Sequence, residues 1–497
     1  MNTATNNSGL PALTANLLEK GGCLADNLFA DLWKQVGMKT LLSKSGFRKR
    51  SGTPISDLIY VLILWVWLKK DSIAMFAQES LDHFTSAEKD ALYSTLNRED
   101  LNWRQLNLKV AIKAVQQMPP CTTPKAFVLD DSIKIRHGKK MPGVSSHFDH
   151  TLGRSVMGQQ VLNLGLSCEH GYVPLDSEIF ISNVKAQGLH QKFKDARSIV
   201  GKRYFQAQHQ SKPQMARTMM SRAIRAGITV DYLLADAWFG TKGMLRTAEE
   251  LSVASIVRMK KSKLKYRLTF YKNEKKVVQM LDLHELFQYS VRKNWQKIPG
   301  QPYQCKVLDV ELNLTNSTSK EPEQWRNVRL LFVRGNVETD KQSVGKNDWA
   351  VFLTTDMSLE ASKILEIYAL RWAVEVYFKE AKQNLGFLKE QSNHYAAYVA
   401  SIHLAAIRFC MLIIAKQGSG AGLPELRRSL SDNLIDINFA ARLWQVFKAI
   451  ISGALNELEE LLGDTINLVM DTIEKHVNYF FVQALQLDTK TLRLEAL

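Results

Sequence analysis

The 497-residue chain holds only five cysteines, Cys23, Cys121, Cys168, Cys305 and Cys410, an odd number, far apart, with no CxxC pair. Neither a disulfide framework nor a zinc ribbon is suggested, and a reducing cytoplasm is the expected compartment. Long apolar runs are scarce too: the longest, Leu58 to Leu68, has 11 residues. It reaches about half a bilayer span, so it reads as a buried helix, and no membrane partner is expected. Residues 1–18 lack a basic start followed by an apolar block, which argues against a secretory signal. Internal repeats and low-complexity segments are absent. Negative charge is in deficit, with 49 Asp and Glu against 65 Lys and Arg, a net charge of +16 and a pI near 9.4. A chain this basic suits a polyanion, nucleic acid first, because phosphate neutralisation gives affinity without any particular sequence; solubility is the plainer alternative.

What is present is the composition of a folded protein, 45% hydrophobic and 23% charged, long enough for two to four domains. Residues 1–120 read as a helical DNA-binding region, with helical spacing through Leu28 to Leu42, Ile55 to Leu68 and Leu101 to Val115. Lys44, Arg48, Lys49 and Arg50 precede Thr53 and Pro54, a candidate cap and first turn; the segment resembles a small helical DNA-binding module, without an identifiable helix-turn-helix, and reads equally as a solvated basic loop before a packing helix. After Pro119, Pro120 and Pro124 the texture turns to strands: Ala126 to Arg136, Gln159 to Cys168 and Tyr172 to Ser182. A helix over Gln214 to Ala226, a strand over Val230 to Asp236, a helix over Thr241 to Leu251 and a strand over Val253 to Arg258 follow. Three strands, then helix, strand, helix, strand, is the order of an α/β, RNase H-like mixed sheet flanked by helices. Its first part is placed at 121–258, an inserted β subdomain at 259–347, its second part at 348–390 and a C-terminal helical region at 391–497.

The chemistry is expected where carboxylates converge, because cleaving a phosphodiester with two divalent metals needs clustered oxygen ligands. Alternation on the first strand sets Asp130 with Val128, Ser132 and Lys134, and Asp131 with Phe127, Leu129 and Ile133, so Asp130 is favoured as the ligand over Asp131. Asp236 closes a strand reading YLLAD, at the carboxyl end where such sheets gather their sites. In Lys363 to Gly386, Tyr368, Arg371, Glu375 and Lys382 stand at offsets 0, 3, 7 and 14, one narrow polar stripe on an otherwise apolar helix. A carboxylate in a core needs a cation or a metal, and an Arg371–Glu375 structural pair is the simpler reading. The basic run Arg258, Lys260, Lys261, Lys263, Lys265 and Arg267 suits a DNA backbone or a solvated face. His137, His147, Asp149 and His150 lack a recognised zinc spacing and read as a loop.

Taken together these motifs resemble the DDE transposases of bacterial insertion sequences, in the group marked by a Tyr-x2-Arg-x3-Glu-x6-Lys signature. Tyr368, Arg371, Glu375 and Lys382 match that signature in type and spacing, while DDS at Asp130–Ser132 and DAWFG at Asp236–Gly240 resemble its two aspartate motifs in order. The resemblance implies that Asp130, Asp236 and Glu375 bind two Mg²⁺ or Mn²⁺ ions, and that Tyr368, Arg371, Lys382, Lys260, Lys261 and Lys263 contact DNA. It implies metal-dependent cutting at the element's terminal inverted repeats, transfer to target DNA, a homodimer in a synaptic complex paired through the C-terminal region, and a place at the bacterial nucleoid. Some members pass through a hairpin, holding a flipped base on an aromatic ring from the insertion; Trp325 and Trp349 are candidates, with core packing as their plainer role. The alternatives are a catalytically inactive, transposase-derived DNA-binding protein and a glycosidase acid pair; the charge of +16 speaks against the second.

Overall fold

Ala126, Phe127, Val128 and Leu129 are fully buried, whereas Asp130 to Lys134 are half-buried, so the first strand, β1 (Ala126–Ile135), leaves a two-sided core partway along its length. That change of environment positions everything functional. The computed structural model describes residues 27–138, 141–149, 152–182, 193–291, 295–298, 303–315, 322–335 and 349–457, with a few positions up to 473.

β1 runs antiparallel to β3 (Arg154–Cys168) from Ala126 opposite Ser167 to Ile135 opposite Gly158. β3 in turn pairs antiparallel with β4 (Gly171–Phe180), with an irregularity at Leu164/Gly165. Gly165 is required there, since a Cβ would lie 2.1 Å from the Tyr172 ring. On its other edge β1 is parallel to β5 (Tyr232–Ala235), and β5 is parallel to β6 (Ala254–Arg258). The order β4-β3-β1-β5-β6, three antiparallel strands followed by two parallel ones, is the RNase H-like core. β2 (Ser145–Asp149), a strand the sequence did not signal, adds to β3.

The connecting helices start where side-chain caps allow. Ser198 accepts from Gly201 N before helix Ile199–His209, Ser211 and Gln214 form a capping box before Lys212–Arg225, and Thr241 accepts from Met244 N before Lys242–Glu250. Helix Leu283–Val291 lies in the insertion and was likewise not signalled.

The insertion does not form a sheet of its own. β12 (Trp349–Thr354) pairs antiparallel with β6, and the sheet continues through β11 (Trp325–Gly335), β10 (Tyr303–Asn313), β7 (Tyr266–Lys272) and β8 (Lys275–Leu281), with the two-residue β9 (Gln296–Lys297) on β10. Twelve strands among the described residues thus form one mixed open sheet.

By its contacts the chain divides into two units, Met118–Glu380 with the sheet, and Met1–Gln117 joined by Ala381–Leu497. The second unit is helical. The expected helix over Leu28 to Leu42 is broken at Gly37, whose φ of 70° ends one helix at Val36 and starts the next at Met38. Pro54, not Thr53, occupies the cap of the Ile55–Leu64 helix, without a side-chain cap. Tyr395–Gln417 has a mean hydropathy of 1.9 and, by length and composition alone, could cross a membrane, yet its apolar window is wholly buried in protein. Within it Arg408 is fully buried and donates to the carbonyls of Ile63, Leu62 and Leu385, holding the ends of other helices.

Candidate active site

Leu129 of β1 stands opposite Ala235 of β5 in parallel register, so the next residues, Asp130 and Asp236, emerge side by side where β5 ends. Asp236 Oδ1 accepts from the backbone N–H groups of Trp238 (2.9 Å) and Phe239 (3.3 Å), a turn that fixes its carboxylate. Gly240 closes that turn against β6, where a Cβ would lie 2.2 Å from the Arg258 carbonyl. Asp130 Oδ1 accepts from Asp131 N (2.8 Å) and its Oδ2 from Arg371 Nη1 (3.0 Å). Burial pushes the Asp130 carboxyl up to about 7; the backbone N–H and Arg371 oppose the shift, and the charges of Asp236 and Asp131 add to it.

Arg371 donates its other terminal nitrogen, Nη2, to Glu375 Oε1, so one guanidinium joins Asp130 to Glu375. Its position comes from a break that the sequence did not signal. The stretch read as one helix is two, Ala361–Ala369 and Trp372–Asn384, and at the junction Arg371 N bonds to Tyr368 O and Val374 N to Arg371 O at three-residue spacing. Ser167 Oγ of β3 donates to the Leu370 carbonyl at 2.9 Å and pins the junction. Glu375 falls in the first turn of the second helix, where the helix dipole favours its charge. The stripe is therefore bent, and its surroundings are less buried than expected: Trp372 is 63% and Val376 52% exposed.

Tyr368, in the last turn of the first helix, sets its ring edge-on to Phe352 and donates its hydroxyl to the Ala235 carbonyl at 3.4 Å. Burial pushes that hydroxyl up to about 12, so it stays a proton donor. Asp130, Asp236, Arg371, Glu375 and Tyr368 are thus gathered, although the three acids do not close to within 4.8 Å of one another. Lys382 lies in the last turn of the second helix and is exposed. Lys260, Lys261 and Lys263 are exposed beyond β6; Lys260 Nζ lies 5.9 Å from the Trp238 ring and Lys261 Nζ 4.3 Å from the Trp349 ring. Trp349 is itself buried and stacked on Phe287, and Trp325 carries Arg267 over its face at 4.0 Å. His147 is buried against Ser145 Oγ at 2.8 Å and His137 is exposed; they and Asp149 do not gather as ligands among the described residues, and His150 lies outside those residues.

Asp131 faces away from Arg371. Gln160 Nε2 donates to its Oδ1 and Lys212 Nζ to its Oδ2 at 2.7 Å. Lys212, buried, also lies 4.3 Å from the Trp238 ring, so it touches both aspartate segments. Sequence reading missed it. The available signal was a lysine at the start of a helix, against the dipole, which calls for an anionic partner elsewhere.

Residues 71–276 match the family described as DDE superfamily endonuclease, and residues 195–411 match the transposase DDE domain. No curated protein matches the chain. The two matches overlap around Asp236, and together they take in Asp130, Glu375 and the core that carries them. With an RNase H-like sheet beneath those residues, the chain belongs to the DDE transposases.

Proposed function

We propose that this protein is the transposase of a bacterial insertion sequence, which cuts DNA at the terminal inverted repeats of its element and joins the 3′ ends to target DNA by a cut-and-paste route. The observation that carries the reading is the Arg371 bridge: two carboxylates from distant parts of the chain, Asp130 and Glu375, share one cation. A third, Asp236, emerges beside the first.

The donor set consists of carboxylate oxygens and suits hard divalent cations. Asp130, Asp236 and Glu375 would hold two Mg²⁺ or Mn²⁺ ions, which when bound supply a Lewis acid and an activated water or 3′-hydroxyl. The other residues bind and orient. Arg371 has the planar fork that grips a phosphate in bidentate fashion, and Lys382, Lys260, Lys261 and Lys263 act as point charges along a DNA backbone. Tyr368 offers its hydroxyl to a phosphate. A homodimer would pair two element ends in the synaptic complex, within a bacterial cytoplasm where the nucleoid is at hand.

The test is cleavage of a supercoiled plasmid carrying both element ends, with Mg²⁺ or Mn²⁺ against EDTA, by wild type and Asp236→Asn. End-specific, metal-dependent release that the variant lacks is expected. Binding to the ends without cutting under any metal would establish an inactive, transposase-derived DNA-binding protein instead. Glu375→Gln should keep end binding and lose cleavage, and cutting that survives it would move the catalytic glutamate elsewhere.

A further inference from the structure

Among the described residues β8 ends the sheet, and β7 pairs with its inner neighbour β10 at one position, Arg267 opposite Glu311. Beyond it β7 and β8 pair with each other, from Leu268 opposite Gln279 to Lys272 opposite Lys275, so the hairpin stands out from the sheet as a two-stranded ribbon. Its turn is Asn273 and Glu274, with φ of 48° and 64°, a two-residue reversal whose twist matches that of the strands.

The root of the ribbon is locked. Arg267 grips Glu311 through two bonds, at 2.7 and 2.6 Å, and lies over the Trp325 ring; Lys265 pairs with Glu285 at 2.7 Å and with Asp282, just past β8, at 3.5 Å. One face is backed by protein: Tyr266 and Leu268 are buried, and Phe270 sets its ring against Tyr289 of helix Leu283–Val291. The other face is open. On it Thr269 and Tyr271 of β7 stand opposite Val278 and Lys276 of β8; all four are exposed, Tyr271 by 74% and Val278 by 50%. At the tip Lys272 and Lys275 face each other, a like-charge pair that an anion would relieve. Glu274 in the turn is the one acid there, and Glu311, whose charge Lys276 feels, is already held by Arg267.

We propose that this ribbon enters the major groove of duplex DNA, with Lys272 and Lys275 on phosphates and the face of Thr269, Tyr271, Lys276 and Val278 against base edges. The proposal rests on the reading of the chain as a DNA-cutting transposase and adds a place where the element's end is read.

The major groove, about 12 Å wide, admits a two-stranded ribbon. The open face carries the chemistry that reads it: a lysine for guanine O6 and N7, a hydroxyl for either kind of partner, and apolar surface for a thymine methyl. Lysines on an edge strand also guard a sheet against pairing with another chain, which accounts for Lys275 and Lys276 on β8. Guarding does not account for Tyr271 and Val278, which add apolar surface to the same open face. A protein partner fits poorly, because lysine is depleted where proteins dock. The ribbon is also tied to the candidate active site by the chain itself. Lys272 follows Lys260, the neighbour of Trp238, by 12 positions, a reach of at most about 40 Å, or roughly one turn of duplex.

The experiment measures binding of the full chain to element-end and random duplexes by fluorescence anisotropy, and maps contacts to guanine N7 by dimethyl sulfate interference. Wild type should prefer the ends and show interference within about one turn of the cut. Tyr271→Ala combined with Lys276→Ala should lower that preference by about tenfold or more and erase the interference. Lys272→Ala combined with Lys275→Ala should instead weaken binding to both duplexes alike and reduce the salt slope by about 2, and Glu274→Gln should strengthen both. A face variant that keeps the full preference and the interference overturns the proposal while leaving the transposase reading in place. One whose only change is in oligomeric state overturns it too, by making the ribbon a protein contact. A wild type that neither prefers nor cuts element ends removes the transposase reading along with the ribbon's role. Should the face variant misfold, the tip variants decide, and unchanged affinity and slope in both overturn the proposal.

Discussion

Ser167 donates its hydroxyl to the backbone carbonyl of Leu370 at 2.9 Å, across 203 positions of sequence. The bond reaches a carbonyl at the junction of two helices that also accepts a long bond from Ala373 N (3.4 Å), and it fixes the direction in which Arg371 leaves the junction toward Asp130. Ser167→Ala would leave that carbonyl with only the long bond from Ala373 N (3.4 Å) of these two, at a cost of about 1 kcal/mol. The same variant should lower strand cleavage more than end binding, since the Asp130–Arg371–Glu375 geometry loosens while the surface lysines are unchanged. Chemical denaturation and gel-based cleavage separate the two effects, and equal losses in both assays would refute the positioning role.

That junction also marks what could be read from the residues and what could not. The opposite facing of Asp130 and Asp131 follows from alternation alone: one meets Arg371, the other Lys212. The helix break does not, because no Pro or Gly interrupts Lys363 to Leu385 and the side chain that bonds to the junction, Ser167, lies far away in β3. β2 escaped for a different reason: its five residues, Ser-Ser-His-Phe-Asp, carry no apolar alternation and depend on pairing with β3. The joining of the insertion to the core through β12 and β6 is likewise a matter of long-range register. Local periodicity is visible in sequence, whereas pairings between distant segments are not.

Lys212 and Asp131 form a largely buried ion pair at 2.7 Å, with side chains 7% and 18% exposed. Removing one partner strands the other's charge, so Lys212→Met should destabilise the protein by about 3 kcal/mol. Asp131→Asn combined with Lys212→Met removes both charges and should recover most of that loss. A double variant as unstable as the single one would show that Lys212 acts through its contact with Trp238 instead.

Asp130 gives a linkage prediction for the metal-free protein. Its carboxyl is pushed from an ordinary value of 3.8 up to about 7 in the folded state, burial being the main cause. Between those values the folded protein holds a proton that the unfolded chain releases. Stability from this group is therefore fully present below about pH 4 and is lost as pH rises through about 7. Asp130→Asn carries no charge, so its stability should lack this component and exceed wild type at pH 8 by on the order of 2 kcal/mol. Thermal unfolding in EDTA from pH 4 to 8 reads the difference, and parallel curves for the two proteins would contradict it.

Lys260, Lys261 and Lys263 stand exposed in the segment that leaves β6, next to the turn that holds Asp236. If they neutralise phosphates, each contributes close to one unit to the slope of log affinity against log salt. Replacing all three with Ala should weaken binding at low salt for any duplex sequence and reduce that slope by about 3. Specificity for the element ends should survive, because phosphate contacts position DNA without reading it. The comparison is a salt titration of wild type and triple variant on element-end and random duplexes. An unchanged slope would make these lysines a solvated face, and a loss confined to the element-end duplex would assign them to base recognition.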